Sequence, residues 1–322
     1  MSETTLAAVP RAGRRRLRLS GPTAGAAIAL GVLVGANALL TPNFASAGNL
    51  WNVLLQVSTV LLVAVGMTLV ISTGGVDLSV GSVMAIAGAV AATTLDRGIP
   101  VAIAAGLGAA AVVGLLNGVL IARFRIQPIV VTLATLIGGR GIAQVLSNDG
   151  ELVPIDNPSF EFLGKGHLGP FPTQVVVAIV AVALGAFLLR ATPFGRYVLA
   201  AGGNPAAARL AGVPVWRTII TVYVLSALLA GMAGLVEAAK LGASDAAKIG
   251  LNVELDAIAA VVVGGTALAG GRATVFGTVI GALIMQVIAT SFNMLLVPYA
   301  WSLALKAGII LFAVYLQRPR RV

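Results

Sequence analysis

The chain has 322 residues, of which 58% are hydrophobic and only 10% are charged, and its mean hydropathy is +1.01. Soluble domains are about 45–50% apolar and about 25% charged, so this composition excludes an ordinary soluble protein and indicates a polytopic membrane protein. The absence of cysteine excludes disulfides and thiolate metal sites.

Ten apolar segments follow a basic arm, residues 1–20, that carries five arginines. No charge occurs between Leu19 and Val76, a length that accommodates two spans of about 20 residues each. A basic tail, residues 318–322, follows the last segment. We therefore predict an all-α fold with about ten transmembrane helices and a transmembrane domain over 21–317. The predicted helices are 21–40, 52–72, 78–95, 99–122, 127–147, 173–190, 218–240, 255–270, 275–294 and 300–317.

The basic residues are distributed unevenly between the two sides of the predicted bundle. If the N-terminus is cytoplasmic, the inner side receives 15 Lys and Arg residues and the outer side receives 4. Cytoplasmic loops carry the excess of positive charge in membrane proteins. We therefore predict that both termini and the loop 191–217 are cytoplasmic, and that the net charge of +10 reflects topology rather than binding to nucleic acid.

The second and third predicted helices are joined by the stretch TGGVDLS, which is typical of a broken-helix junction. Gly74 and Gly75 interrupt the helix, and Asp77 can cap the helix that follows. Non-helical backbone at membrane depth is tolerated only where it is buried in protein or lines a watered cavity. Asp77 is thus either a simple cap or a residue that lines or gates a pathway. The stretch 270–277 has the same glycine spacing, which reflects either an internal duplication or chance in a chain with 39 glycines.

The outer loop from residue 147 to 172 is long and carries four acidic residues. It is either a solvated lid or a docking surface for an extracytoplasmic protein. No Gly-rich phosphate loop of the form G-x-x-x-x-G-K-[ST] occurs anywhere in the sequence, and no Ser/His/Asp or H-E-x-x-H arrangement is present. We therefore expect no catalytic residue, no metal site and no ATP hydrolysis by this chain itself.

The loop 191–217 contains the signals of a short helix. Asn204 is a favoured N-cap, Pro205 suits the first helical position, and Gly212 fits the C-terminal cap. A helix of about two turns is too short to span a membrane or to be stable alone. It either rests on its own bundle or inserts into a cytoplasmic partner as a mechanical coupling element.

Three stretches, residues 66–90, 194–215 and 254–278, resemble the signatures of permease subunits of ribose- and galactofuranose-type ABC sugar importers. The resemblance implies two ATPase subunits, a second permease subunit (a homodimer or a close paralogue), a periplasmic sugar-binding protein and a lipid environment. ATP and Mg would be used by the partner ATPase, and the permease would bind no cofactor. The residues expected to couple to the ATPase are Arg196, Gly202, Gly203, Asn204, Ala207, Ala208, Arg209 and Gly212.

The predicted function is a permease subunit that carries a monosaccharide, a pentose or hexose and possibly galactofuranose, across the bacterial inner membrane. One alternative is an ABC permease for a branched-chain amino acid, a nucleoside or a signalling furanose. Another is a self-contained secondary transporter, which would usually show intramembrane carboxylates or histidines; we expect almost none in the central spans. The residues predicted to line or gate the pathway are Gly74, Gly75, Asp77, Ser79, Asn117 and Asn293.

Overall fold

The computed structural model describes residues 21–147 and 149–316. The predicted arm 1–20 and tail 318–322 lie outside the described residues. Thirteen α-helices form the described part. They are α1 Gly21–Leu40, α2 Ala47–Ser72, α3 Val80–Thr93, α4 Ile99–Ala122, α5 Pro128–Leu146, α6 Pro158–Lys165, α7 Thr173–Ala191, α8 Pro193–Gly203, α9 Pro205–Leu210, α10 Val215–Leu241, α11 Val253–Val263, α12 Val275–Met294 and α13 Tyr299–Leu316.

A short 3-10 helix, Leu95–Arg97, and four two-residue strands complete the described structure. Val153–Pro154 (β1) pairs antiparallel with Ala243–Ser244 (β4), and His167–Leu168 (β2) pairs antiparallel with Phe171–Pro172 (β3). The β1–β4 pairing fastens the segment between α5 and α7 to the residues that follow α10, whereas β2 and β3 form a hairpin within that segment.

Each of the ten predicted apolar segments contains a helix, which confirms the all-α membrane fold. Seven helices in the described ranges are long and apolar enough to cross a membrane: α1, α2, α4, α5, α7, α10 and α12. The helix α3 has 14 residues and α11 has 11, so they extend only about 21 and 16 Å, short of a hydrocarbon core of about 30 Å. That the chain crosses the membrane ten times, and that both of its termini are cytoplasmic, therefore stay predictions.

The predicted helix 255–270 is wrong at its C-terminal end, because α11 ends at Val263. The backbone turns at Gly265, where φ is +91°, and again at Gly270 and Gly271, where φ is +83° and +75°. Glycine adopts these left-handed conformations readily, whereas other residues are strained there. Residues 266–269 between these turns are mostly apolar, so the hydropathy of the sequence continues past the end of α11 and does not show where the helix ends.

The helix α10 forms the centre of the bundle and contacts α2, α3 and α4 along its length. Glycines bring the helices close together. A Cβ added to Gly66 of α2 would lie 2.9 Å from Ser226 Cα, and one added to Gly118 of α4 would lie 2.8 Å from Ile220 Cα. Small residues at helix contacts allow this close packing in membrane proteins.

The two ends of α10 define two ends of the molecule. It begins after the short connection 211–214 that follows α9, and its last turn contacts α6, where Gly164 lies against the backbone of Lys240. We call the end that holds α8, α9 and the α4–α5 connection the arginine-rich end, because Arg123, Arg125, Arg196, Arg209 and Arg217 belong to its segments. The end that holds α6 is the opposite end.

Both short helices, α3 and α11, begin inside the bundle. Asp77, just before α3, contacts Ser226, which lies 11 residues after the start of α10, or about 16 Å along it. The start of α3 at Gly81 lies against the backbone of Gly250, just before α11. The segment 242–252 thus turns back from the opposite end into the interior. The broken helix predicted at TGGVDLS is confirmed, and this second re-entrant segment was not predicted.

Candidate functional site

The helix α9 is capped at both ends as predicted. Asn204 Oδ1 accepts hydrogen bonds from the backbone N–H groups of Ala206 (3.1 Å) and Ala207 (3.0 Å). Gly212 has φ +80°; its N–H donates to Arg209 O at 3.0 Å, and the N–H of Val213 donates to Ala208 O at 3.0 Å. This pair of bonds is a Schellman motif, which requires a left-handed residue after the helix. Local chemistry therefore fixes a helix of only six residues.

Most of α9 is exposed. Ala208 alone is buried, in a small cluster with Ala201 and Val215. Leu210 is 92% exposed and Arg209 lies beside it on the surface.

A groove of about 1120 Å³ separates α9 from the connection between α4 and α5. Its lining includes the cationic side chains Arg123, Arg125 and Arg209, and none of its lining residues is acidic. At its rim the guanidinium of Arg217 lies 5.0 Å from the ring centre of Trp216. The groove therefore carries an excess of positive charge that suits an acidic surface.

Three Gly-Gly pairs meet behind α9, and we call them the diglycine cluster: Gly74–Gly75, Gly202–Gly203 and Gly270–Gly271. The N–H of Gly271 donates to Ser72 O at 2.9 Å, which joins the two broken-helix turns. A Cβ on Gly202 would collide with Ser72 O and lie 2.7 Å from Gly271 N. The end of α8, which leads into α9, is thus wedged between both turns by backbone contacts.

A buried polar network holds the start of α3. Asp77 Oδ1 accepts hydrogen bonds from the N–H (3.0 Å) and the hydroxyl (2.6 Å) of Ser79, and Oδ2 accepts from the Ser226 hydroxyl at 3.2 Å. Asn117 of α4 donates to Ser79 Oγ at 2.9 Å, and Thr135 of α5 donates to Asn117 Oδ1 at 2.6 Å. A buried carboxyl group is tolerated because it is hydrogen-bonded in this way. The cap prediction is corrected in position, since Ser79 is the N-cap of α3 and Asp77 stabilises the turn before it.

The predicted pathway residues divide into three places. Asp77, Ser79 and Asn117 belong to the buried network, and Gly74 and Gly75 belong to the diglycine cluster. Asn293 lies apart and exposed in the last turn of α12. In the described part of the chain, no group of three or more His, Asp or Glu side chains is placed to hold a metal ion.

Comparison with known proteins identifies the family. Residues 49–314 match the family model of the permease component of branched-chain amino acid transport systems. The chain belongs to this family of transport permeases. It is 41% identical over 299 residues to the ribose import permease RbsC of Escherichia coli K12, covering 91% of this chain and 93% of the relative. No solved structure matches the chain.

Two further relatives extend the comparison. The permease is 39% identical over 309 residues to the galactofuranose transporter permease YtfT of Escherichia coli K12, covering 91% of this chain and 89% of the relative. It is 41% identical over 292 residues to the L-arabinose ABC transporter permease AraH of Azospirillum brasilense, covering 90% and 86%. These matches and the seven long apolar helices establish a multi-pass protein of the inner membrane.

Sequence reasoning missed part of the permease's site. The sequence analysis used Arg123 and Arg125 only in the count of basic residues on the inner side. In the structure they form the wall of the groove that faces Arg209. Gly270 and Gly271 entered only as a repeat of the spacing at Gly74. That repeat was the one available signal, because it marks two turns of the same kind that the fold brings together.

Proposed function

We propose that the chain is the membrane-spanning subunit of an ATP-driven importer for a monosaccharide, a pentose or a hexose. The diglycine cluster carries the proposal for ATP coupling, because it connects an exposed helix to two broken-helix turns in the bundle. The relatives named for ribose, galactofuranose and L-arabinose support the sugar cargo.

A separate ATPase would dock at the arginine-rich end. The tip of α9 would insert into its surface, and acidic groups of the ATPase would meet Arg123, Arg125 and Arg209. ATP and Mg would be used there, since this chain lacks a phosphate-binding loop. Nucleotide-driven closure of two ATPase subunits would move α9 and, through Gly202, the turns at Ser72 and Gly271.

The remaining partners follow from the same proposal. A second permease subunit, a copy of this chain or a close paralogue, would complete the bundle. A periplasmic sugar-binding protein would deliver its cargo at the opposite end, where α6 presents an ion pair between Lys165 and Glu161 at 2.9 Å. The family description keeps branched-chain amino acids as the second candidate cargo.

Co-purification tests the proposal. The tagged permease is expected to retain an ATPase and a sugar-binding protein, and calorimetry with the binding protein should select one of D-ribose, D-galactose, L-arabinose or D-fructose. A binding protein that selects leucine over every sugar would replace the sugar cargo by an amino acid. Retention of neither partner would contradict the proposal as a whole.

The proposed topology places α6 outside the cell and α9 inside. Because the chain has no cysteine, single cysteines report without background. Ser159 of α6 and Ala207 of α9 are both exposed helix positions, which makes them a matched pair. We expect Ser159→Cys to react with an impermeant maleimide in right-side-out vesicles and Ala207→Cys to react only after permeabilisation. The reverse pattern would invert the topology.

A further inference from the structure

A second cavity, of about 480 Å³, opens where α5 faces the start of α11. Arg140, Gly141 and Gln144 of α5 line one wall, and Asn252 and Glu254 line the other. None of these residues was singled out as a pathway residue in the sequence analysis. We propose that this cavity binds the sugar during its passage through the permease, an inference that rests on the proposed function.

Arg140 holds the re-entrant segment and keeps further donors. Its Nη1 donates to Ala246 O at 2.9 Å and to Ile249 O at 2.7 Å, and both carbonyls belong to the segment 242–252. A guanidinium has five N–H donors, and both bonds that Arg140 makes to the described residues start from the same nitrogen. Its other nitrogens are therefore left for a ligand.

Glu254 places a largely buried carboxyl group in the wall of the cavity. Its side chain is nine-tenths buried, and its Oε2 accepts no hydrogen bond from any described residue. The carboxyl group lies in the first turn of α11, where the helix dipole favours it.

Asn252 supplies a free amide next to Glu254. It is the N-cap residue of α11, yet its side chain makes no capping hydrogen bond, and its backbone has the left-handed φ of +61°. The Asn252 side chain therefore lines the cavity and does not cap α11.

The donors and acceptors suit a monosaccharide. A guanidinium, two amides and a carboxyl group can bind vicinal hydroxyls, each of which donates and accepts. Leu136, Ile137 and Leu251 add an apolar surface for the C–H faces of a sugar ring. Arg140 and Glu254, whose formal charges are opposite, line the same cavity, so a neutral cargo fits. The volume lies within the range of about 300–1,000 Å³ typical of small-molecule sites.

Cysteine labelling tests whether the cavity is a hydrated part of the pathway. Gly141 and Gly138 are both exposed on α5, and a Cβ at either position meets no atom within 4 Å, but only Gly141 lines the cavity. In the complex with ATPase and binding protein, a hydrophilic methanethiosulfonate should react with Gly141→Cys about tenfold faster than with Gly138→Cys, since the thiolate forms in water. The transported sugar with ATP should slow that reaction. Equal rates at the two positions, or no protection by the sugar, would overturn the proposal.

Removal of the amide tests the contact itself. Asn252→Gly deletes the side chain at a position whose φ suits glycine. We expect sugar uptake per ATP hydrolysed to fall about five- to tenfold, the effect of losing one or two hydrogen bonds. ATP hydrolysis stimulated by the loaded binding protein should change less than about twofold, because no coupling contact is touched.

The outcomes separate this inference from the proposed function. Unchanged uptake by Asn252→Gly, or an equal loss of uptake and ATP hydrolysis, would show that the amide is not a cargo contact. An unmodified complex that imports leucine and none of the four sugars would refute the proposed cargo. The labelling comparison, repeated with leucine as protectant, would then show whether the cavity binds the wrong class of molecule or none.

Discussion

Replacing Gly202 by alanine is expected to abolish sugar uptake, whereas the neighbouring replacement Gly203→Ala leaves it nearly unchanged. The added methyl group at 202 collides with Ser72 O and lies 2.7 Å from Gly271 N. At 203 the nearest atom is Gly271 Cα at 3.9 Å, an ordinary contact. Backbone atoms in a packed interior cannot yield independently, and overpacking of this kind costs about 1–3 kcal/mol or more.

The two alanine variants are matched, because both lie at the end of α8 and alanine favours a helix over glycine. The measurements are abundance in the membrane, retention of the ATPase, stimulation of ATP hydrolysis by the loaded binding protein, and uptake. We expect Gly202→Ala to retain the ATPase but to lose stimulation and uptake by about tenfold or more, equivalent to at least about 1.4 kcal/mol. Normal uptake by Gly202→Ala would show that the diglycine cluster does not transmit motion.

Reversing the charge of Arg209 is expected to release the ATPase. Arg209 lies exposed at the end of α9 and faces Arg123 and Arg125 across a groove without an acidic lining residue. Loss of one partner from a buried charged contact costs about 2–5 kcal/mol, and each ~1.4 kcal/mol is tenfold in affinity. Arg209→Glu should therefore weaken ATPase binding by about 30-fold or more, measured by titration of the purified ATPase against the permease in nanodiscs.

Two controls define the effect at Arg209. Arg190→Glu reverses a charge in the last turn of α7, in an exposed position that does not line the groove, and should leave ATPase binding nearly unchanged. Asn204→Ala removes the cap of α9 and should be milder than the reversal at 209, about 1 kcal/mol. Equal ATPase affinity of Arg209→Glu and the unmodified permease would remove Arg209 from the docking surface.

Local chemistry made α9 predictable. Its caps depend on Asn204, Pro205 and Gly212, three residues within one short stretch, and the structure has the hydrogen bonds that these residues predict. The apolar helices were predictable for the same reason, since length and hydropathy are local properties. The end of α11 was not, because the apolar residues after Gly265 continue the hydropathy of a helix although the backbone has turned.

Contacts between distant segments were beyond local reasoning. Arg140 donates hydrogen bonds to the carbonyl groups of Ala246 and Ile249, which lie more than 100 positions further along the chain. Nothing in the sequence near Arg140 indicates that it contacts this segment. Likewise, Gly202 meets Ser72 and Gly271 only because α2, α8 and the α11–α12 connection converge in the fold. The sequence marked the glycines, but their common location is a property of the tertiary structure.

ATP-driven uptake in proteoliposomes tests the central claim most directly. The permease is reconstituted with its ATPase and binding protein, with ATP on the side of α9 and radiolabelled D-ribose, D-galactose, L-arabinose or D-fructose on the side of α6. We predict that one of these sugars accumulates, and that accumulation requires both the binding protein and hydrolysable ATP. Accumulation driven by an ion gradient without the ATPase, or no accumulation of any of the four sugars with ATP, would contradict the account.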